Sequence, residues 1–226
     1  MELLTTSNYK LMKGNAQGYM SFILHLAPAD LSGREVCPRR SPGCTAACLN
    51  TAGRGKMNTV QAGRLRKTRM FWEERAAFMA HLISDIRAGI RRAEREGMTP
   101  CFRLNGTSDI AWEKIRVGNQ NLFQLFPDVQ FYDYTKVLGR KIANIANYHV
   151  TFSRSENNDR DVARAIAQGM NVAVVFDAVP ERYLGLPVFN GDDSDLRFLD
   201  PSPCIVGLKN KGRARLDDTG FVIHAA

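Results

Sequence analysis

The sequence predicts an α/β fold built on a mostly parallel sheet, and three observations predict it. Short apolar runs alternate with helical or turn-rich stretches along the chain. Several runs, residues 171–176 above all, are apolar at nearly every position, as strands buried on both faces are. Polar residues bunch directly after the runs, at the C-terminal ends of parallel strands, where such folds carry their sites. Six strands of this kind fit a partial (β/α)6, TIM-like barrel, with an open doubly wound sheet as the other arrangement. No internal repeat, low-complexity tract or Pro/Ser-rich linker interrupts residues 1–226, which predicts a single domain.

Residues 1–18 are polar and Gly/Asn-containing, an irregular lead-in. The first strand covers 19–26 and stops at Ala27-Pro28-Ala29-Asp30. A loop over 36–55 follows, rich in Pro and Gly, with Arg39, Arg40, Arg54 and three of the five cysteines. Asn58-Thr59-Val60-Gln61 has the form of a capping box at a helix start. Phe71, Phe78, Leu82, Ile86 and Ile90 then repeat on one helix face up to Glu96-Gly97. A helix of about 38 residues is long enough to expect a break, placed near Arg69.

The second strand covers 101–105 and runs into Gly106-Thr107-Ser108-Asp109. A helix or turn spans 110–126. The third and fourth strands are 129–134 and 148–152, and a helix at 159–168 is stopped by Gly169. The fifth strand is 171–176, an acidic loop lies at 191–195, and the sixth strand is 204–208. A short tail strand at 220–224 is expected to pair at a sheet edge.

Net charge is +8, and it is localised. Nine Lys/Arg against the single acid Glu35 lie between Arg34 and Arg69, a surplus equal to that of the whole chain. The candidate nucleic-acid contacts are Arg39, Arg40, Arg54, Lys56, Arg64, Arg66, Lys67 and Arg69. A solvated helix face is the other reading of these charges. No apolar run approaches the roughly 18 residues of a membrane span. The first residues lack a basic, then apolar, secretory pattern, so the expected setting is the cytoplasm, with reduced thiols.

Clustered cysteines in that setting point to metal or catalysis. Cys37, Cys44 and Cys48 are spaced C-x6-C-x3-C after the first strand. Cys101 and Cys204 each open a strand, which puts them at the opposite end of a parallel sheet. That argues against a closed four-Cys zinc site and leaves three thiols with an open position. Such a set suits a [4Fe-4S] cluster or a catalytic zinc. Three ordinary thiols, or zinc completed by His or Asp, remain the plainer readings.

A Cys-rich loop straight after the first strand of a six-stranded barrel resembles the radical S-adenosylmethionine fold. The resemblance implies cluster ligation by the three thiols and S-adenosylmethionine as cofactor. It implies cofactor contacts from Asn105, Ser108, Asp109, Ser153 and Arg154. A second resemblance covers nearly the whole chain. Residues 41–55, Arg103-Leu104-Asn105-Gly106-Thr107-Ser108-Asp109, Phe131-Tyr132-Asp133-Tyr134-Thr135-Lys136 and Phe152-Ser153-Arg154-Ser155-Glu156 are similar to the bacteriophage gene product 88-like proteins. It implies a phage origin, and so an infected host cell.

Asp109 and Asp133 close adjacent strands and suit acid–base or nucleophilic work, with Lys136 beside them. Strand-end Asp residues also resemble those of base-exchanging transglycosylases, which implies a second enzyme class. A helix cap or an Arg salt bridge is the bland role for each Asp. Phe131, Tyr132, Tyr134 and Trp112 suit base stacking or core packing. His25 and His149 read as core histidines. Gly53-Arg54-Gly55 suits a weak anion site before a helix. The leading expectation is a phage enzyme with an iron–sulfur site acting on a nucleic acid, a nucleotide or another anionic molecule. The alternatives are a deazaguanine-type base transglycosylase, and a zinc-stapled nucleic-acid-binding protein without catalysis.

Overall fold

The computed structural model describes residues 2–6 and 14–224. Its strands are β1 (Leu4–Thr5), β2 (Tyr19–Leu24), β3 (Thr99–Arg103), β4 (Gln130–Thr135), β5 (Tyr148–Ser153), β6 (Val172–Phe176), β7 (Leu186–Asn190), β8 (Ile205–Lys209) and β9 (Val222–Ile223). The sheet runs β1-β2-β3-β4-β5-β6-β8-β7, with Arg182–Tyr183 as a last short strand beside β7. β1 is antiparallel to β2, whereas β2 to β8 pair in parallel. The expected parallel α/β sheet is therefore present, but the barrel is not formed: the sheet is open.

Two layers cover it. On one face α2 (Asn58–Glu73) and α3 (Arg75–Arg95) follow α1 (Pro42–Ala46), the short helix of the Cys loop. Phe71, Phe78, Leu82 and Ile86 are buried against Phe22, Phe102 and Phe131 of the sheet, as their spacing predicts. Burying one such ring contributes roughly 2–3 kcal/mol. Gly89 lets α3 approach closely, since a Cβ there would lie 3.1 Å from the rings of Phe22 and Phe102. The opposite face carries Cys101, Arg103, Tyr132 and Tyr134, and residues 194–198 lie across it. Leu196 and Phe198 pack on Cys101 and Tyr132, and Asp195 pairs with Arg103 at 3.0 Å. The acidic loop thus ends inside the protein.

Several local expectations are corrected. Residues 2–6 of the lead-in hold β1, while residues 1 and 7–13 lie outside the described set. The break falls at Glu74, after Glu73, because φ −130° and ψ 49° there leave the helical region. The capping box is not made: Met57 takes the cap position and no side chain caps the helix. Residues 110–126 form a 3-10 turn at Trp112–Lys114, a small hairpin and a four-residue helix at Leu122–Leu125. β7 went unread because Pro187 interrupts a mostly exposed run. The tail strand β9 does not sit at an edge. It pairs with Val175 and Phe176 of β6, on ground that β5 has already left at Ala173.

Candidate functional site

All parallel strands end on one side, and the Cys loop spans that side. Its first part is tied to the loop after β3: the Asp109 N–H donates to the Val36 carbonyl at 2.7 Å. The Cys37 thiol points at the Thr107 carbonyl, 3.8 Å away. Its second part is tied to the loop after β5. There the Glu156 carboxylate accepts from the Ser41 hydroxyl at 2.6 Å and from the Gly43 N–H at 2.7 Å. Ser41 in turn caps α1 by accepting from the Cys44 N–H at 3.2 Å, with Pro42 next to it.

Gly43 is required by packing. A Cβ there would lie 2.1 Å from Thr219 Oγ1 and 2.8 Å from Phe221 Cβ. Gly43→Ala is expected to destabilise the chain by roughly 1–3 kcal/mol through overpacking. Urea unfolding checks this, and an unchanged midpoint would refute the contact.

Cys37, Cys44 and Cys48 lie near enough to one another and to Lys136 to influence one another's charge, and Asp109 acts on Cys37 and Lys136 in the same way. Burial pushes the Cys37 thiol up to about 12, helped by Cys48, Asp109 and Cys44, while Lys136 opposes the rise. Burial also raises Cys48, with the charge of Cys44 adding to it. Burial pulls the Lys136 ammonium down, but Cys44, Asp109 and a hydrogen bond to the Cys44 thiol outweigh it, so Lys136 stays charged. Its Nζ donates to Ser153 Oγ at 3.2 Å. Asp109 accepts from the Thr135 hydroxyl and from the Lys136 N–H, both at 2.8 Å, and Arg140 lies 3.5 Å away. Cys37, Cys44, Cys48, Asp109, Lys136 and Ser153 therefore share one site.

Cys101 and Cys204 do not join it. Cys101 is buried against Ser21, Tyr132 and Leu196, and Cys204 against Ala173 and Val206. Among the described residues, no group of three or more His, Cys, Asp or Glu is arranged to hold a metal ion. Three thiols suit a soft metal in kind, but their arrangement here is not a metal-holding one. In this arrangement the ammonium of Lys136 is the cation that faces the sulfurs.

The other expected residues lie around the site in supporting positions. Asp133 is 0 % exposed and accepts from the Asn105 N–H at 2.7 Å, Asn105 Nδ2 at 3.3 Å and the Tyr148 hydroxyl at 3.0 Å. Asn105 Oδ1 accepts from the Ser108 hydroxyl, the Ile110 N–H and the Trp112 indole, so its polar atoms are all engaged. Arg154 donates to the carbonyls of Gly220 and Phe221 and pairs with Asp159, which fastens the tail. Trp112, Phe131 and Tyr132 are fully buried in the core, which leaves no face for a base.

The basic patch divides. Arg39, Arg54, Lys56, Arg66 and Arg69 are exposed. Arg40 pairs with Asp30 and Glu35. Arg64 is buried and donates to Asn50 of the Cys loop, and Lys67 donates to the Leu3 carbonyl at 2.6 Å. Sequence reasoning assigned no role to Glu156 or Arg140. The signal for Glu156 was its place among the polar residues after the fourth strand. Arg140 carried none, because its partners Asp109 and Glu113 are some 30 residues away in sequence.

Among the described residues, no helix is long and apolar enough to cross a membrane. No curated protein and no solved structure matches the chain. A family model described as Gene product 88 matches residues 2–225, which takes in the Cys loop, the strand-end Asp residues and the Glu156 clamp. The chain therefore belongs to the Gene product 88 family of phage proteins.

Proposed function

We propose that the chain is a phage enzyme whose reacting centre is the Cys37, Cys44 and Cys48 site. The three thiols would hold an iron–sulfur cluster, and the substrate would be a nucleic acid, a nucleotide or another anionic molecule. One observation carries this reading: three thiols of one loop lie within electrostatic reach of one another and of Lys136, while the other two cysteines are packed elsewhere. Three soft donors without a fourth thiol leave one metal position open to a ligand. A cluster bound there supplies electron transfer, or an open iron for substrate. The chain's own residues do the rest. Asp109 anchors the Lys136 backbone, Ser153 orients the ammonium, and Lys136 offers a positive charge and a proton at Nζ. The exposed arginines and lysines of the flank would attract the anion.

For S-adenosylmethionine, Asp109 and Ser153 would be the contacts, since both bond Lys136 beside the thiols. Asn105, Ser108 and Arg154 have protein partners for their side chains. Anaerobic purification followed by iron and acid-labile sulfide analysis tests the proposal. The expected result is both elements in the native chain and their loss in Cys37→Ala, Cys44→Ala and Cys48→Ala. Zinc without sulfide would favour the zinc-stapled binding protein, and a protein without metal would overturn the cluster. Labelled-base exchange that disappears in Asp109→Asn would instead support the transglycosylase reading.

A further inference from the structure

A cleft of about 420 Å³ opens beside the thiol site, and Val36 and Asp109 belong to both. Its volume lies in the range of small-molecule sites. One wall is the helix break: Phe71 and Trp72 end α2, and Arg75 begins α3. The Arg75 guanidinium lies 3.6 Å from the Phe71 ring centroid and 5.7 Å from that of Trp72. Trp72 is 43 % exposed, which is unusual for so large an apolar side chain. The floor is Asp109, Glu113 and Arg140. The Arg140 side chain is 4 % exposed and pairs with Glu113, while its Nη1 stands 3.5 Å from Asp109 Oδ1 without making a hydrogen bond. A buried guanidinium nitrogen that has an ion pair but no hydrogen bond has room for a further acceptor.

The mouth carries Lys114, Lys141 and Arg75. Among the described residues, no acid pairs with any of the three. Glu35, which also lines the cleft, already binds Arg40 and the Cys37 N–H.

We infer that this cleft binds a nucleotide, with its base against Trp72 and its phosphate at Lys114, Lys141 and Arg75. The carboxylates of the floor, whose oxygens can each accept more than one hydrogen bond, accept from a base that carries N–H donors, and a base carbonyl gives Arg140 Nη1 the hydrogen bond that Asp109, at 3.5 Å, does not. Guanine has both. The inference rests on the substrate class proposed above and adds the place where that substrate sits, next to Asp109.

Tryptophan fluorescence of the full-length protein tests it, because Trp112 is fully buried and Trp72 is not. Titration with GMP is expected to quench Trp72, and Trp72→Phe to abolish the signal. The double variant Lys114→Ala/Lys141→Ala, at exposed positions, is expected to weaken GMP about tenfold while leaving guanosine unchanged. A single-stranded DNA oligonucleotide that binds more tightly than GMP identifies the source as a nucleic-acid strand. GMP binding alone identifies a free nucleotide. No binding of either at about 1 mM, or GMP binding indifferent to the two lysines, would overturn the inference. Iron and sulfide found together with no GMP binding would defeat this site alone. GMP binding without metal would defeat the cluster alone.

Discussion

Asp133→Ala is expected to destabilise the chain by roughly 3–5 kcal/mol, because it orphans three buried donors at once. The Asn105 N–H, Asn105 Nδ2 and the Tyr148 hydroxyl all point at this carboxylate, which water does not reach. Asn105 in turn organises the turn that carries Ser108 and leads to Asp109, so the loss spreads to the site. The urea midpoint should fall with little change in slope. A midpoint within experimental error of the native one would sink this account.

The same carboxyl makes stability depend on pH. Burial raises Asp133 from 3.8 to about 7, against the hydrogen bond from the Asn105 N–H and the charges of Arg103 and Arg140. Between those two values the native state holds a proton that the unfolded state has released. Stability from this group is therefore full below about pH 4, falls as pH rises, and is gone above about pH 7. The total is at most about 4 kcal/mol. Asp133→Asn removes the titration, so the difference in stability between native and variant should change across this window. A difference that stays constant with pH would exclude the mechanism. A carboxyl that titrates near neutrality suits a general base, but the lone pairs of Asp133 face protein donors. Stability is the readout that its geometry ties to it.

Glu156→Ala is expected to free the Cys loop, at a cost of roughly 2 kcal/mol. Hydrogen bonds to a charged acceptor are worth about 1.5–3 kcal/mol each, and partial exposure of Glu156 lowers that. Ser41 is 2 % exposed, so its hydroxyl would be left without its main acceptor. Amide exchange should rise across residues 41–48 more than in the sheet. In metal-free protein, alkylation of Cys37 and Cys48 should quicken although neither residue is changed. Glu156→Gln, which keeps an acceptor, should show a smaller effect. Unaltered exchange in the loop would mean that Glu156 does not hold it.

Much of this architecture was legible along the chain. The apolar runs are the strands, within two residues or so at each end, and Phe71, Phe78, Leu82 and Ile86 do face the sheet. Strand direction and chain order were enough to place the Cys loop, Asp109, Lys136 and Ser153 on one side and Cys101 and Cys204 away from them. Such features depend on period and composition, which are local and survive without knowledge of the fold.

What local pattern could not convey was which partners a polar residue meets. Eight basic residues looked alike in sequence, yet three of them are turned to protein partners or carry paired charges: Arg40, Arg64 and Lys67. Asn105 and Arg154 looked like ligand contacts, and their donors and acceptors are used by the loop and the tail. The position of β9 depends on β5 ending short of it.

The sequence by itself determined the parallel α/β sheet, the helix pair on its face and the end at which three thiols and the strand-end polar residues gather. Only the tertiary structure decided that the sheet stays open, that Glu156 and Asp109 clamp the Cys loop from two sides, and that Lys136 is the cation facing its sulfurs. The physical reason is that strand alternation and helix period are written in neighbouring residues. The filling of the sheet's second face by Leu196 and Phe198 is a contact between segments more than 60 residues apart in sequence.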